Sequence, residues 1–205
     1  DVYKRQIYTI MTMFYLVFLV DVAKLNAVTA SAIILGGRIF DALNDPIMGM
    51  IVDKTRSKWG KMRPYLLFSP IPVCVSTILL FIAPFQSSAA ATVYAACTYV
   101  LWGVCFTIQD VPFWGLTSVI TPNEKERTQF ISNGRLGSTF GGILPALLIP
   151  ILRQSSLGLR GGYLFGAILF GVMGALLSSL AFFTTKERIE PSTTTPTVSY
   201  THLTL

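Results

Sequence analysis

The sequence predicts an all-α polytopic membrane protein with six transmembrane helices. Composition is the first observation: 52% of the 205 residues are hydrophobic and 13% charged, against about 25% charged in a soluble domain. The second is a mean hydropathy of +0.60. The third is patterning, because the apolar residues gather into six long runs separated by short polar loops. Continuous runs fit helices, which satisfy their own backbone in lipid. A membrane β-barrel would instead need alternating segments of about ten residues.

The runs follow in order. Residues 7–22 are short and begin abruptly after "DVYKRQ", and residues 29–53 are interrupted by charge. Residues 65–85 carry Pro70 and Pro72 near their start. Residues 89–119 are overlong and contain Pro112, where a kink or an early end is expected. Residues 128–152 and 161–184 complete the set. A span needs roughly 20 residues, so all six fit. Together they predict one six-helix bundle over 7–190. The ends, 1–6 and 197–205, resemble translated adapter sequence, which marks them as non-native and the chain as a fragment.

Loop charge predicts orientation. Lys54, Arg56, Lys58, Lys61 and Arg63 follow the second run, Lys125 and Arg127 the fourth, and Lys186 and Arg188 the sixth. The other side carries only Lys24, Arg153 and Arg160. Positive loops stay in the cytoplasm, so both ends are expected there, in a multi-pass protein of a bacterial inner membrane. The formal charge of +6 does not indicate nucleic acid, since the basic residues sit in these loops.

Charges inside the second run carry the functional argument. In "RIFDALNDPIMGMIVDK", Asp41 and Asp45 are four apart and share a helix face, with Arg38 on the same stripe. Gly49 and Asp53 continue it. Each charge at the bilayer centre costs about 2.5–3.5 kcal/mol, so the stripe requires pairing or a polar cavity. Arg38 neutralises one carboxylate and leaves the other to bind a cation. Paired carboxylates suit Na⁺, Li⁺ or a shared proton. A structural ion pair that fixes helix packing is the alternative.

A second stretch, "TIQDVPFWG", places Asp110 and Trp114 four apart with Thr107 one turn earlier. A carboxylate beside an indole suits a sugar, whose hydroxyls donate to the acid and whose C–H face packs on the ring. Trp114 as an interfacial anchor is the alternative. Arg135, in "ISNGRLGSTFGG", is the remaining intramembrane charge and a candidate partner for Asp41, Asp45 or Asp110. Nothing predicts an enzyme or a cofactor. Cys74, Cys97 and Cys105 lie in apolar runs without metal spacing. The single histidine, His202, is in the tail. An aspartyl protease built from Asp41 and Asp110 would be expected to show a GxGD motif, which is missing.

"DALNDPIMGMIVDKTRSKWGKMRP" together with "YVLWGVCFTIQDVPFWGL" resembles the glycoside–pentoside–hexuronide:cation symporters of the major facilitator superfamily. The resemblance covers about residues 7–190. It implies the N-terminal bundle of a two-bundle carrier, with a C-terminal six-helix half as partner and a small-molecule sugar as substrate. By position, Asp41 and Asp45 resemble the cation-site carboxylates, with Asn44 and Thr107 as polar helpers and Arg38 as charge partner. Asp110, Trp114 and Arg135 resemble sugar-site residues. The stretch from Gly49 and Asp53 through Arg56, Gly60, Lys61 and Arg63 resembles the superfamily's basic loop. The melibiose permease branch has a further sugar-binding acid early in helix one, where "DVYKRQ" stands here. Same-fold carriage of a lysolipid, or a non-transporting sensor, are the alternatives.

Overall fold

A computed structural model describes residues 2–85, 87–121 and 123–185. Lys186, Arg188, His202 and the 197–205 tail lie outside the described residues. The described residues form α1 (Val2–Asp21), α2 (Ala27–Lys54), α3 (Arg63–Phe68), α4 (Pro70–Leu80), α5 (Ser88–Ile120), α6 (Glu124–Gln154) and α7 (Gly158–Thr184). This is an all-α polytopic membrane fold in which α3 and α4 follow one another over the third apolar run of the sequence.

Proline chemistry explains that division. Pro70 and Pro72 have no N–H to offer the carbonyls of Leu66 and Phe68, so the ladder is interrupted. The backbone stays close to helical at Ser69 (φ −68°, ψ −27°), and α4 starts at once. Pro46 and Pro112, by contrast, lie inside α2 and α5. Of the kink or early end expected at Pro112, the early end does not occur, and α5 runs on to Ile120. Asn26 caps α2 by accepting from the Val28 N–H at 2.9 Å, and Asn123 caps α6 from the Lys125 N–H at 3.0 Å.

Among the described residues, three helices are long and apolar enough to cross a membrane: Ser88–Thr117, Glu124–Gln154 and Gly158–Thr184. α1 opens on Lys4, Arg5 and Gln6, and α2 carries Arg38, Asp41, Asp45 and Asp53, which lowers their apolar character. Residues 2–6, set aside as a non-native end, form the first turn of α1.

α1 packs against α6 and α7, α2 against α5, and α4 against both α5 and α7. The core is aromatic. Tyr15 stacks on Tyr99 with ring centroids 5.5 Å apart. Tyr99 stacks on Trp102 at 6.5 Å, and Trp102 on Phe106 at 4.8 Å. Trp102 also donates from Nε1 to Thr77 Oγ1 at 3.0 Å, fastening α5 to α4. Leu35, Ile39, Leu43 and Ile47 form an exposed apolar row on α2, suited to lipid or a neighbouring helix.

At one end, the 55–62 loop is held in place. Gly60 adopts φ 103°, a region that favours glycine. The Ser57 hydroxyl donates to the Gly60 carbonyl at 2.7 Å. Arg63 donates from Nη2 to the Phe182 carbonyl at 2.8 Å, and its guanidinium lies 4.6 Å from the Phe182 ring centroid. Trp59 packs edge-on to the same ring at 5.7 Å.

Helices α2 and α5 approach closely because Gly37 has no side chain. A Cβ there would run into the buried Tyr99 ring. Gly37→Ala is therefore expected to destabilise the bundle by about 1–3 kcal/mol, read as a lower melting temperature in detergent. Gly36→Ala, which meets nothing, should leave the melt unchanged.

Candidate functional site

Two adjoining polar cavities lie between the helices. The smaller, about 180 Å³, is lined by Arg38, Asp41 and Asp45 of α2 and by Gly103 and Thr107 of α5, with Tyr8, Trp102, Phe106 and Asp110 around it. The larger, about 440 Å³, is lined by residues of α1, α5 and α6 that include Lys4, Tyr8, Asp110, Trp114 and Arg135. Tyr8, Phe106 and Asp110 line both. The Tyr8 and Phe106 rings lie 5.5 Å apart and form the wall between the two.

Helical spacing builds the smaller cavity. Asp41 and Asp45 stand one turn apart on α2, and Gly103 and Thr107 stand one turn apart on the facing surface of α5. Thr107 donates from Oγ1 to Asp45 Oδ1 at 2.9 Å. Arg38 Nη1 lies 4.0 Å from Asp41 Oδ2 and donates to the Tyr8 hydroxyl at 3.4 Å. Both are long contacts, so Arg38 screens Asp41 without a tight bridge. Of the three carboxylates that line the cavity, Asp110 is paired with Lys4, which leaves Asp41 and Asp45 against one guanidinium, an arrangement that attracts cations. Among the described residues, no three His, Cys, Asp or Glu side chains cluster as a metal site. A metal ion here would take its ligands from the two carboxylates, the Thr107 oxygen and water. Asn44 is half-buried on α2 and is absent from the lining of this cavity.

The larger cavity carries the opposite charge. Lys4 donates from Nζ to Asp110 Oδ1 at 2.5 Å and sits 4.2 Å from the Phe113 ring centroid and 4.8 Å from that of Trp114. Arg5 and Arg135 line the same space, with Ser138 and Thr139 one turn from Arg135. Asp110 therefore pairs with Lys4, and among the described residues Arg135 forms no ion pair with Asp41, Asp45 or Asp110. Trp114 is partly exposed and lines the larger cavity.

Lys4 and Tyr8 were missed by sequence reasoning. Lys4 lies in the stretch set aside as non-native, and Tyr8 lies in the first apolar run, to which no functional residue was assigned. Their four-residue spacing puts them on one face of α1 and was the available signal. Asp53 is exposed and Gly49 has open space around it. With Arg56, Gly60, Lys61 and Arg63 they lie toward the 55–62 loop, outside both cavities.

A family model described as MFS/sugar transport protein matches residues 5–204. The chain belongs to this MFS sugar-transport family. Similar relatives include the uncharacterized symporter YnaJ of Bacillus subtilis (strain 168), 36% identical over 89% of this chain and 40% of its own length. The inner membrane symporter YicJ of Escherichia coli (strain K12) is 34% identical over 89% and 40%. The glucuronide carrier protein homolog of the same strain is 29% identical over 92% and 42%. The MFS sugar-transport chain therefore spans about two fifths of the length of the curated relatives it matches. The resemblance to glycoside–pentoside–hexuronide:cation symporters holds along the chain, and these relatives are transporters rather than enzymes.

Removing one partner of a buried pair exposes the desolvation cost of the other. Asp110→Asn removes the charge that Lys4 Nζ contacts on α5. It is expected to lower the melting temperature, by about 1–3 kcal/mol of stability because Asp110 is partly solvated. Adding Lys4→Met should restore most of the loss. A double variant no more stable than Asp110→Asn would contradict the pairing.

Proposed function

We propose that this chain supplies the ion-binding half, and one wall of the sugar site, of a cation-coupled glycoside symporter. The two cavities sharing Asp110, Tyr8 and Phe106 are the observation that carries the reading. The coupling ion, Na⁺, Li⁺ or H⁺, binds at Asp41 and Asp45 with the Thr107 hydroxyl beside them. Arg38 limits the negative charge that the empty site exposes. A glycoside, pentoside or hexuronide occupies the larger cavity, packed on Trp114 and hydrogen-bonded to Asp110, with Arg135 available to a carboxylate of the sugar.

Coupling follows from charge. Asp110 lines both spaces, so neutralising Asp41 and Asp45 makes the shared wall less negative and changes how Asp110 is used. A sugar that takes up Asp110 acts back on the ion site, since linkage is reciprocal. Alternating access needs a second six-helix half facing these cavities. A loaded site can be buried at little cost, whereas a bare carboxylate cannot. The basic 55–62 loop supports an orientation with both ends in the cytoplasm of a bacterial cell.

Uptake of a panel of labelled glycosides, in cells expressing the intact carrier that contains this chain, tests the reading. Stimulation by an inward Na⁺, Li⁺ or H⁺ gradient is expected for at least one sugar, and no gradient-dependent uptake of any glycoside overturns it. Asp45→Cys is expected to abolish the cation stimulation. Normal stimulated uptake by that variant would remove Asp45 from the ion site.

A further inference from the structure

The glycines of α2, α5 and α6 differ in what a side chain would meet. Gly36, Gly49 and Gly134 face open space. Gly37 and Gly115 face carbon or sulfur of neighbouring side chains, Tyr99 and Met62, and serve packing. At Gly103 the nearest neighbour is a carboxylate: a Cβ there would lie 2.5 Å from Asp41 Oδ1 and 3.6 Å from its carboxyl carbon. Gly103 is buried and lines the smaller cavity.

We propose that Gly103 sets the size of the ion site, because its missing side chain is the space in which the Asp41 carboxylate seats against α5. The inference rests on the coupling-ion reading above and adds a determinant of which alkali cation is accepted. α5 addresses the two carboxylates in two ways, one turn apart. Thr107 holds Asp45 by a hydrogen bond of 2.9 Å. Gly103 holds Asp41 by leaving room for it. The contact from Asp41 to Arg38, at 4.0 Å, is too loose to fix the carboxylate elsewhere. A methyl group at position 103 would push the Asp41 carboxylate away from α5 and take up part of the 180 Å³ cavity. Selection among hard cations follows cavity size and ligand number. The narrowed site therefore rejects Na⁺ more strongly than the smaller Li⁺.

Calorimetric titration of the purified intact carrier with NaCl and with LiCl, without sugar, tests this. Gly103→Ala is expected to raise the half-saturating Na⁺ concentration at least tenfold and that of Li⁺ no more than threefold. Gly36→Ala, the control for helix propensity, should shift neither by more than twofold. Equal shifts for the two ions, or none, overturn the proposal. An unsubstituted carrier that binds neither ion overturns this inference and leaves H⁺ as the coupling ion of the reading above. Should Gly103→Ala not fold, Asp41→Glu makes the same test from the other side, since its extra methylene drives the carboxylate into the gap. The same selective loss of Na⁺ is expected, and an unselective response counts against the proposal.

Discussion

Close approach of α2 to α5 is the constraint from which the other features follow. Three charges on one stripe of α2 would be costly in lipid, at about 2.5–3.5 kcal/mol for each on insertion scales. Packing that stripe against α5 removes the problem only if the helices come near enough to enclose a polar space. Gly37 on α2 admits the Tyr99 ring, and Gly103 on α5 admits the Asp41 carboxylate. The exchange is reciprocal: each helix lacks a side chain where the other projects one. The stacked series from Tyr15 through Tyr99 and Trp102 to Phe106 then runs from the bundle core to the cavity wall. The aromatic core is thus continuous with the walls of the two cavities.

The membrane fold was legible because long apolar runs and the need for internal backbone hydrogen bonding leave few alternatives. The interruption at Pro70 was less so. Prolines at 46, 70, 112 and 145 look alike in sequence, yet only the Pro70 region, with Pro72 two residues on, divides a helix. Pro70 and Pro72 remove two hydrogen bonds within a single turn, whereas Pro145 and Pro150, five residues apart, leave α6 continuous.

For the site, periodicity placed Asp41 with Asp45 and Asp110 with Trp114, because those pairs lie within single helices. Contacts between helices were beyond its reach. That Thr107 reaches Asp45, that Lys4 takes Asp110 and that Arg135 stands apart depend on the tertiary angles of α1, α2, α5 and α6. Gly103 was invisible for another reason. Its contribution is an empty volume, and an absent side chain has no chemical signature until a neighbour is seen filling the space.

The loop joining α2 to α3 has a mechanical consequence. Both of its ends are fixed by helices, and Arg63 and Trp59 add a third attachment at Phe182 on α7. A hinge needs slack, and a three-point mount has none. Any tilt of α2 would therefore load α7 through the 55–62 loop. At that end α2, α3 and α7 are thus tied to one another through a single short loop.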